Sequence, residues 1–109
     1  MNDFKWSNAE KQVAKRAFNV ALEREYGMLI RQTREMVGKM LEGADLWRLH
    51  DFLTDTRREI DEKYDYRYSQ LITVFARLIY QGWLTIEELE GLHQDKLAKI
   101  NLILSLARE

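Results

Sequence analysis

DLWRLHDFLTDTRREIDEKYDYRY, the stretch from Asp45 to Tyr68, contains no glycine and no proline, so nothing in it forces a helix to break. Wound at 3.6 residues per turn, Leu46, Leu49, Phe52, Leu53, Ile60 and Tyr64 fall on one side, with Thr56 the single polar step between Leu53 and Ile60. That side is a seam made to be covered. Trp47, His50, Asp51, Thr54, Arg57, Arg58 and Asp61 flank it, so an indole, an imidazole, carboxylates and guanidinium groups sit about a helical turn apart. Two readings compete for the flank. Asp55 with Arg58, Arg57 with Asp61, Arg58 with Glu62 and Glu59 with Lys63 stand at the spacing of ion pairs that do no more than solubilise a helix. Trp47 resists that reading, because a large aromatic beside a seam is either core filler or an anchor for a partner.

The rest of the chain reads as helix on both sides of this stretch. Ser7 followed by Glu10 forms a capping box. Val13, Ala17, Phe18, Ala21, Leu22, Leu29, Met36, Val37 and Met40 then recur at spacings of three and four, which predicts one helix from Asn8 to Leu41 with a bend at Gly27. At about 1.5 Å per residue such a helix is roughly 51 Å long, whereas a compact chain of this length has a radius of gyration of only ~13 Å. The rod overhangs its own domain, and the natural cover for its stripe is a second copy of the chain. Gly43 ends it, and Asp45 is placed to cap the next helix, which turns back antiparallel and runs to about Tyr64.

A kink over Asp65 to Tyr68 leads to a third helix carrying Leu71, Ile72, Val74, Phe75, Leu78 and Ile79, apolar around most of its circumference and therefore the most buried element. Thr85 with Glu88 makes a second capping box, and Leu84 with Leu89 a hydrophobic staple. A final helix from Ile86 to about Ala107 pairs with the third as a hairpin about Gly82 and Trp83. The expected fold is all-α: one domain over residues 1–109, a long amphipathic helix with a helical hairpin, its stripe covered by a second copy of the chain.

Composition bounds the chemistry. In 109 residues there are 46% apolar side chains, 32% charged ones, five glycines and no proline, which suits a helical protein with its own core. A formal charge of -1 without a basic arm offers no footprint for nucleic acid. The absence of cysteine removes thiol catalysis and thiolate metal sites. The start, MNDFKWSNAEKQ, lacks the apolar core of a secretion signal, and Leu71 to Ala76, apolar but for Thr73, is far too short to insert in a membrane. Glu90 and His93 have the spacing of a helical di-iron motif, but that site needs the motif twice, and the only other histidine, His50, has Trp47 three residues before it. His93 reads instead as an exposed or capping residue. Ser69 to Leu92 mimics a helix-turn-helix, yet its second helix would begin with Glu87, Glu88 and Glu90, which repel phosphates. No nucleophile elbow or phosphate-cradling loop is present, so no enzyme and no cofactor are expected.

The stretch resembles the central segment of the fluorescence recovery protein family of cyanobacteria. The carrying residues are Asp45-Leu46-Trp47-Arg48-Leu49-His50-Asp51-Phe52-Leu53, Arg57, Glu59-Ile60-Asp61, Lys63-Tyr64-Asp65 and Arg67, with looser agreement through Val74-Phe75-Ala76, Gly82, Glu87-Glu88-Leu89, Asp95-Lys96 and Lys99-Ile100. The family pattern has an aromatic near Thr73, where Phe75 is the nearest one here. The resemblance implies a cofactor-free, elongated antiparallel-helix homodimer of the cytoplasm, with stalk and dimerisation helices over about 8–65 and a helical head over about 66–109, peripheral at the thylakoid or phycobilisome surface. It would bind the photoactivated orange carotenoid protein through that partner's C-terminal domain, speed its return from red to orange and help detach it from the phycobilisome. Trp47, His50, Asp51, Arg57 and Lys99 would then be partner-binding, and Leu46, with the neighbouring seam residues Leu49, Phe52 and Leu53, would lie in the dimer contact. The competing class is a helical dimeric interaction module that uses the same face for another partner.

Overall fold

Ser7 opens the first helix as its spacing predicts: its hydroxyl accepts from the Glu10 amide, and the Glu10 carboxylate accepts from the Ser7 amide. The computed structural model describes residues 4–108, so the first three residues of the polar N-terminal stretch, and Glu109, lie outside it. From this cap α1 runs unbroken through Asn8–Gly38, with Gly27 inside it and no interruption there. Thirty-one residues at about 1.5 Å each give a rod of roughly 46 Å.

The turn into the second helix differs from expectation. Helix α2 spans Gly43–Lys63, so Glu42 holds the N-cap position and Asp45 lies three residues inside. Asp45 still closes the helix end, reaching back to accept from the amides of Leu41 (2.9 Å) and Glu42 (3.2 Å). Those two backbone bonds, followed by the nearby Arg48, hold its carboxyl below the usual carboxylate range.

Residues 64–70 then break the helix, so α2 and α3 (Leu71–Tyr80) are separate elements. Helix α3 contributes Leu71, Ile72, Val74, Phe75, Ala76 and Leu78 to the core, making it the most buried element, as its composition requires. It ends in a Schellman motif: the Trp83 amide donates to the Leu78 carbonyl (2.8 Å) and the Gly82 amide to that of Ile79 (3.0 Å). Gly82 supplies the positive φ of 86° that this reversal demands.

The final helix is not continuous. Thr85 and Glu88 form their capping box, but over a single 3₁₀ turn, Ile86–Leu89; α4 begins only at Gln94 and runs to Ala107. Gly91, at φ 110°, lies between them, and a Cβ there would come within 2.8 Å of Val13 Cγ2. Leu89 and Leu92, on either side of the break, both reach the core. Helix α4 returns alongside α3 as the expected hairpin, burying Ile100 and Leu104.

The core lies at one end of the molecule. Val13, Ala14, Ala17, Phe18 and Ala21 of α1 join α3, the 3₁₀ turn and α4 there, so the first half of α1 belongs to the head and its second half to the stalk. Helix α2 adds only Ile60 to the buried apolar set. The chain measures 53 × 32 × 23 Å with a radius of gyration of 16.9 Å, well above the ~13 Å of a compact chain. The stalk overhangs.

Candidate partner-binding face

Because α2 packs so little against its own chain, most of its side chains stand free. Trp47 is 68% exposed, touching His50 edge-to-face with ring centroids 6.4 Å apart. His50 Nδ1 in turn lies 3.3 Å from Asp51 Oδ1. Indole, imidazole and carboxylate therefore form one exposed cluster. Arg57 follows on the same helical face, about 15 Å along the axis from Trp47 at the standard rise. Its guanidinium is 3.9 Å from Asp61, and Arg58 is 3.8 Å from Asp55, loose pairings of exposed groups that hold neither arginine tightly. Lys99 is exposed too, but on α4 of the head, and it is not part of the Trp47 cluster.

The seam beside this face is uncovered. Leu46 and Leu53 are exposed, while Leu49 and Phe52 are half-buried. Lower on the stalk, α1 and α2 enclose an open groove of about 630 Å³, lined by Tyr26, Leu29 and Ile30 of α1 and by Leu53, Thr56 and Ile60 of α2. Tyr26 and Ile30 escaped the sequence reading. They recur with Thr33 and Val37 at spacings of three and four, a second stripe beside the one that enters the head core, and that spacing was the available signal.

Three charged contacts fix the stalk and the N-terminus to the head. Lys63, expected to pair with Glu59, instead turns inward: its Nζ donates to the Glu25 carboxylate at 2.7 Å and to Gln81 Oε1 at 2.8 Å. Tyr64 donates its hydroxyl to the same carboxylate (2.8 Å), and burial followed by that hydrogen bond pushes its phenol far above the ordinary value. Arg24 grips Glu88 with two parallel hydrogen bonds of 2.8 and 2.7 Å, and this pairing, opposed by burial, lowers the Glu88 carboxyl to about 2. Glu10 meets Lys96 at 2.8 Å and accepts from the His93 amide at 2.9 Å, which ties the start of α1 to the start of α4. His93 itself occupies the N-cap position of α4 with its ring exposed.

Among the described residues no group of acidic side chains and histidines has the arrangement of a metal site, and no helix is long and apolar enough to cross a membrane. What the stalk offers chemically is recognition: a large exposed aromatic, hydrogen-bonding groups of both signs and an apolar seam.

Comparison with known proteins gives this face a context. Residues 6–104 match the family model described as photoprotection regulator fluorescence recovery protein. The fluorescence recovery protein of Synechocystis sp. PCC 6803 is 43% identical over 101 residues, 93% of each chain. The solved structure of the Fremyella diplosiphon fluorescence recovery protein superposes with a TM-score of 0.86 at 52% identity, covering 96% of this chain and all of that one. The Synechocystis structure gives the same TM-score at 43% identity, again over 96% of this chain. Matched over nearly its whole length in sequence and in fold, the chain belongs to the fluorescence recovery protein family of photoprotection regulators.

Proposed function

We propose that this protein binds the photoactivated orange carotenoid protein, accelerates its red-to-orange reversion and promotes its release from the phycobilisome, without catalysing a covalent reaction. The observation that carries the reading is the free face of α2. Trp47, His50, Asp51 and Arg57 are held on a rigid helix yet take almost no part in their own chain's packing. An exposed tryptophan beside polar groups has the composition of an interface hot spot. Lys99, exposed on the head, is a second point of contact.

Acceleration of a partner's conformational return requires the regulator to prefer an intermediate or transition state over the activated one, since equal binding to both changes nothing. Paired stalks provide the means. A homodimer joined along Leu46, Leu49, Phe52 and Leu53 presents two such faces and holds two domains of the carotenoid protein close, which raises their effective concentration for re-docking. The regulator acts at the phycobilisome surface as a peripheral protein. The test is the dark decay of the red form of the carotenoid protein, with and without this chain. Wild type shortens it; Arg57→Leu, which leaves the exposed helix intact, weakens the effect by roughly ten- to a hundredfold, as expected for loss of a charge-assisted contact of about 1.5–3 kcal/mol. An unchanged decay with wild type rejects the function, and full activity in Arg57→Leu removes Arg57 from the face.

A further inference from the structure

Where α2 ends, residues 64–67 form an irregular segment and Tyr68 begins the turn into α3, and three tyrosines of this stretch pack on rings near the start of the chain. Tyr64 and Tyr66 meet Phe18 edge-on, with centroids 5.4 and 4.9 Å away, and Tyr68 lies 5.5 Å from Trp6. Lysine ammonium groups lie over four of these rings; those on Tyr64 and Trp6, from Lys63 and Lys96, are already paired with carboxylates. Lys15 Nζ sits 4.7 Å from the Tyr66 centroid and Lys11 Nζ 5.2 Å from that of Tyr68. The intervening Asp65 and Arg67 pair with each other. Among the described residues no carboxylate comes within 4 Å of Lys11 or Lys15, whereas the cations that tie the head together are matched: Arg24 with Glu88, Lys63 with Glu25, Lys96 with Glu10.

We infer that Lys11 and Lys15, seated on Tyr68 and Tyr66, form a second docking patch that takes an acidic segment of the protein partner. The inference rests on the proposed function for the identity of that partner. Two ammonium groups one helical turn apart, resting on ring faces, have surrendered part of their freedom before any partner arrives, so an incoming carboxylate meets cations already placed. The half-exposed rings beside them cover the apolar part of such a segment, which bare lysines cannot do. The chain's overall charge of -1 makes the patch a local feature rather than a general basic surface. Two cations fall short of the cluster of roughly four to eight that recognises anionic lipid, which leaves a peptide as the occupant.

The double variant Lys11→Gln/Lys15→Gln retains helix propensity at two exposed sites. Its affinity for the photoactivated orange carotenoid protein should fall roughly three- to tenfold, as expected for two exposed charge pairs, and the salt dependence of binding should flatten. Lys11→Arg/Lys15→Arg, which preserves both charge and ring stacking, should retain wild-type affinity. With wild-type binding established, an unchanged affinity and salt dependence in the glutamine variant overturns the patch while leaving the proposed function intact. Binding of the wild type to phosphatidylserine vesicles, lost in the glutamine variant, would equally overturn it by assigning the lysines to lipid.

Discussion

A lysine ammonium withdrawn from water persists only where other groups hold its charge. Lys96, 2% exposed, meets this demand through Glu10 at 2.8 Å and the Lys5 carbonyl at 2.7 Å, with the Trp6 and Phe4 rings on its flanks. Burial alone would raise the Glu10 carboxyl; the hydrogen bonds from Lys96 and from the Ser7 and His93 amides outweigh it and lower the group from 4.5 to about 2. A carboxyl depressed in the folded state stabilises the fold above its unfolded value, and that contribution is lost as pH falls through the folded value. Stability against urea should therefore decline between about pH 4.5 and 2, helped by Glu88, which is lowered over the same window. Glu10→Gln leaves Lys96 without its nearest counter-ion. It should cost about 3–5 kcal/mol at neutral pH and flatten the acid decline in urea titrations across that range; a slope equal to wild type would show that the loss arises elsewhere.

At the scale of elements, Gly91 decides how the head closes. Its φ of 110° is one that other L-residues rarely adopt, and Val13 occupies the space a Cβ would need. Gly91→Ala should destabilise the chain by about 1–3 kcal/mol from backbone strain, with a further loss from displacing Val13, measured as a lowered midpoint in thermal or urea unfolding. Adding Val13→Ala should recover part of the second loss and none of the first. This turn also marks where sequence reading reached its limit. The boxes at Ser7–Glu10 and Thr85–Glu88, the seam of α2 and the apolar third helix were legible because each is written within a few neighbouring residues. Gly91 was enclosed in the expected Ile86–Ala107 helix, since the residue that crowds it, Val13, lies 78 positions away. Lys63 likewise had a plausible local partner in Glu59 and took Glu25, 38 residues distant. Asp45 was recognised as a cap and misplaced by three positions, because its carboxylate closes the helix end from inside the first turn, reaching back to the Leu41 and Glu42 amides. Of the candidate face, Trp47, His50 and Asp51 were legible as one cluster because they share a helix, whereas Tyr26 and Ile30 required knowledge of which side of α1 the head consumes.

For the molecule as a whole, the arrangement of buried and exposed apolar surface argues for a partner along the stalk. The head satisfies its own core, but Tyr26, Ile30, Leu46 and Leu53 are all more than two-fifths exposed on a rod that extends beyond that core. An apolar stripe of this kind, rimmed by charge, marks an association surface. In the homodimer proposed above, two stalks related by a twofold axis cover it isologously, each copy burying the same residues it offers. The seam and the Trp47 cluster are adjacent on α2, so the proposed dimer contact would cover the first and leave Trp47, His50 and Asp51 at its edge, with Arg57 lining the groove between. Light scattering should accordingly give twice the chain mass of 13.1 kDa at micromolar concentration. Leu46→Glu forces an uncompensated charge into the contact, so it should halve the mass, with circular dichroism retaining the helices of the head because its core does not use Leu46. A Leu46→Glu variant that still scatters as two chains would place the contact on a different face of the rod, and a monomeric wild type would remove the paired stalks from the proposed mechanism.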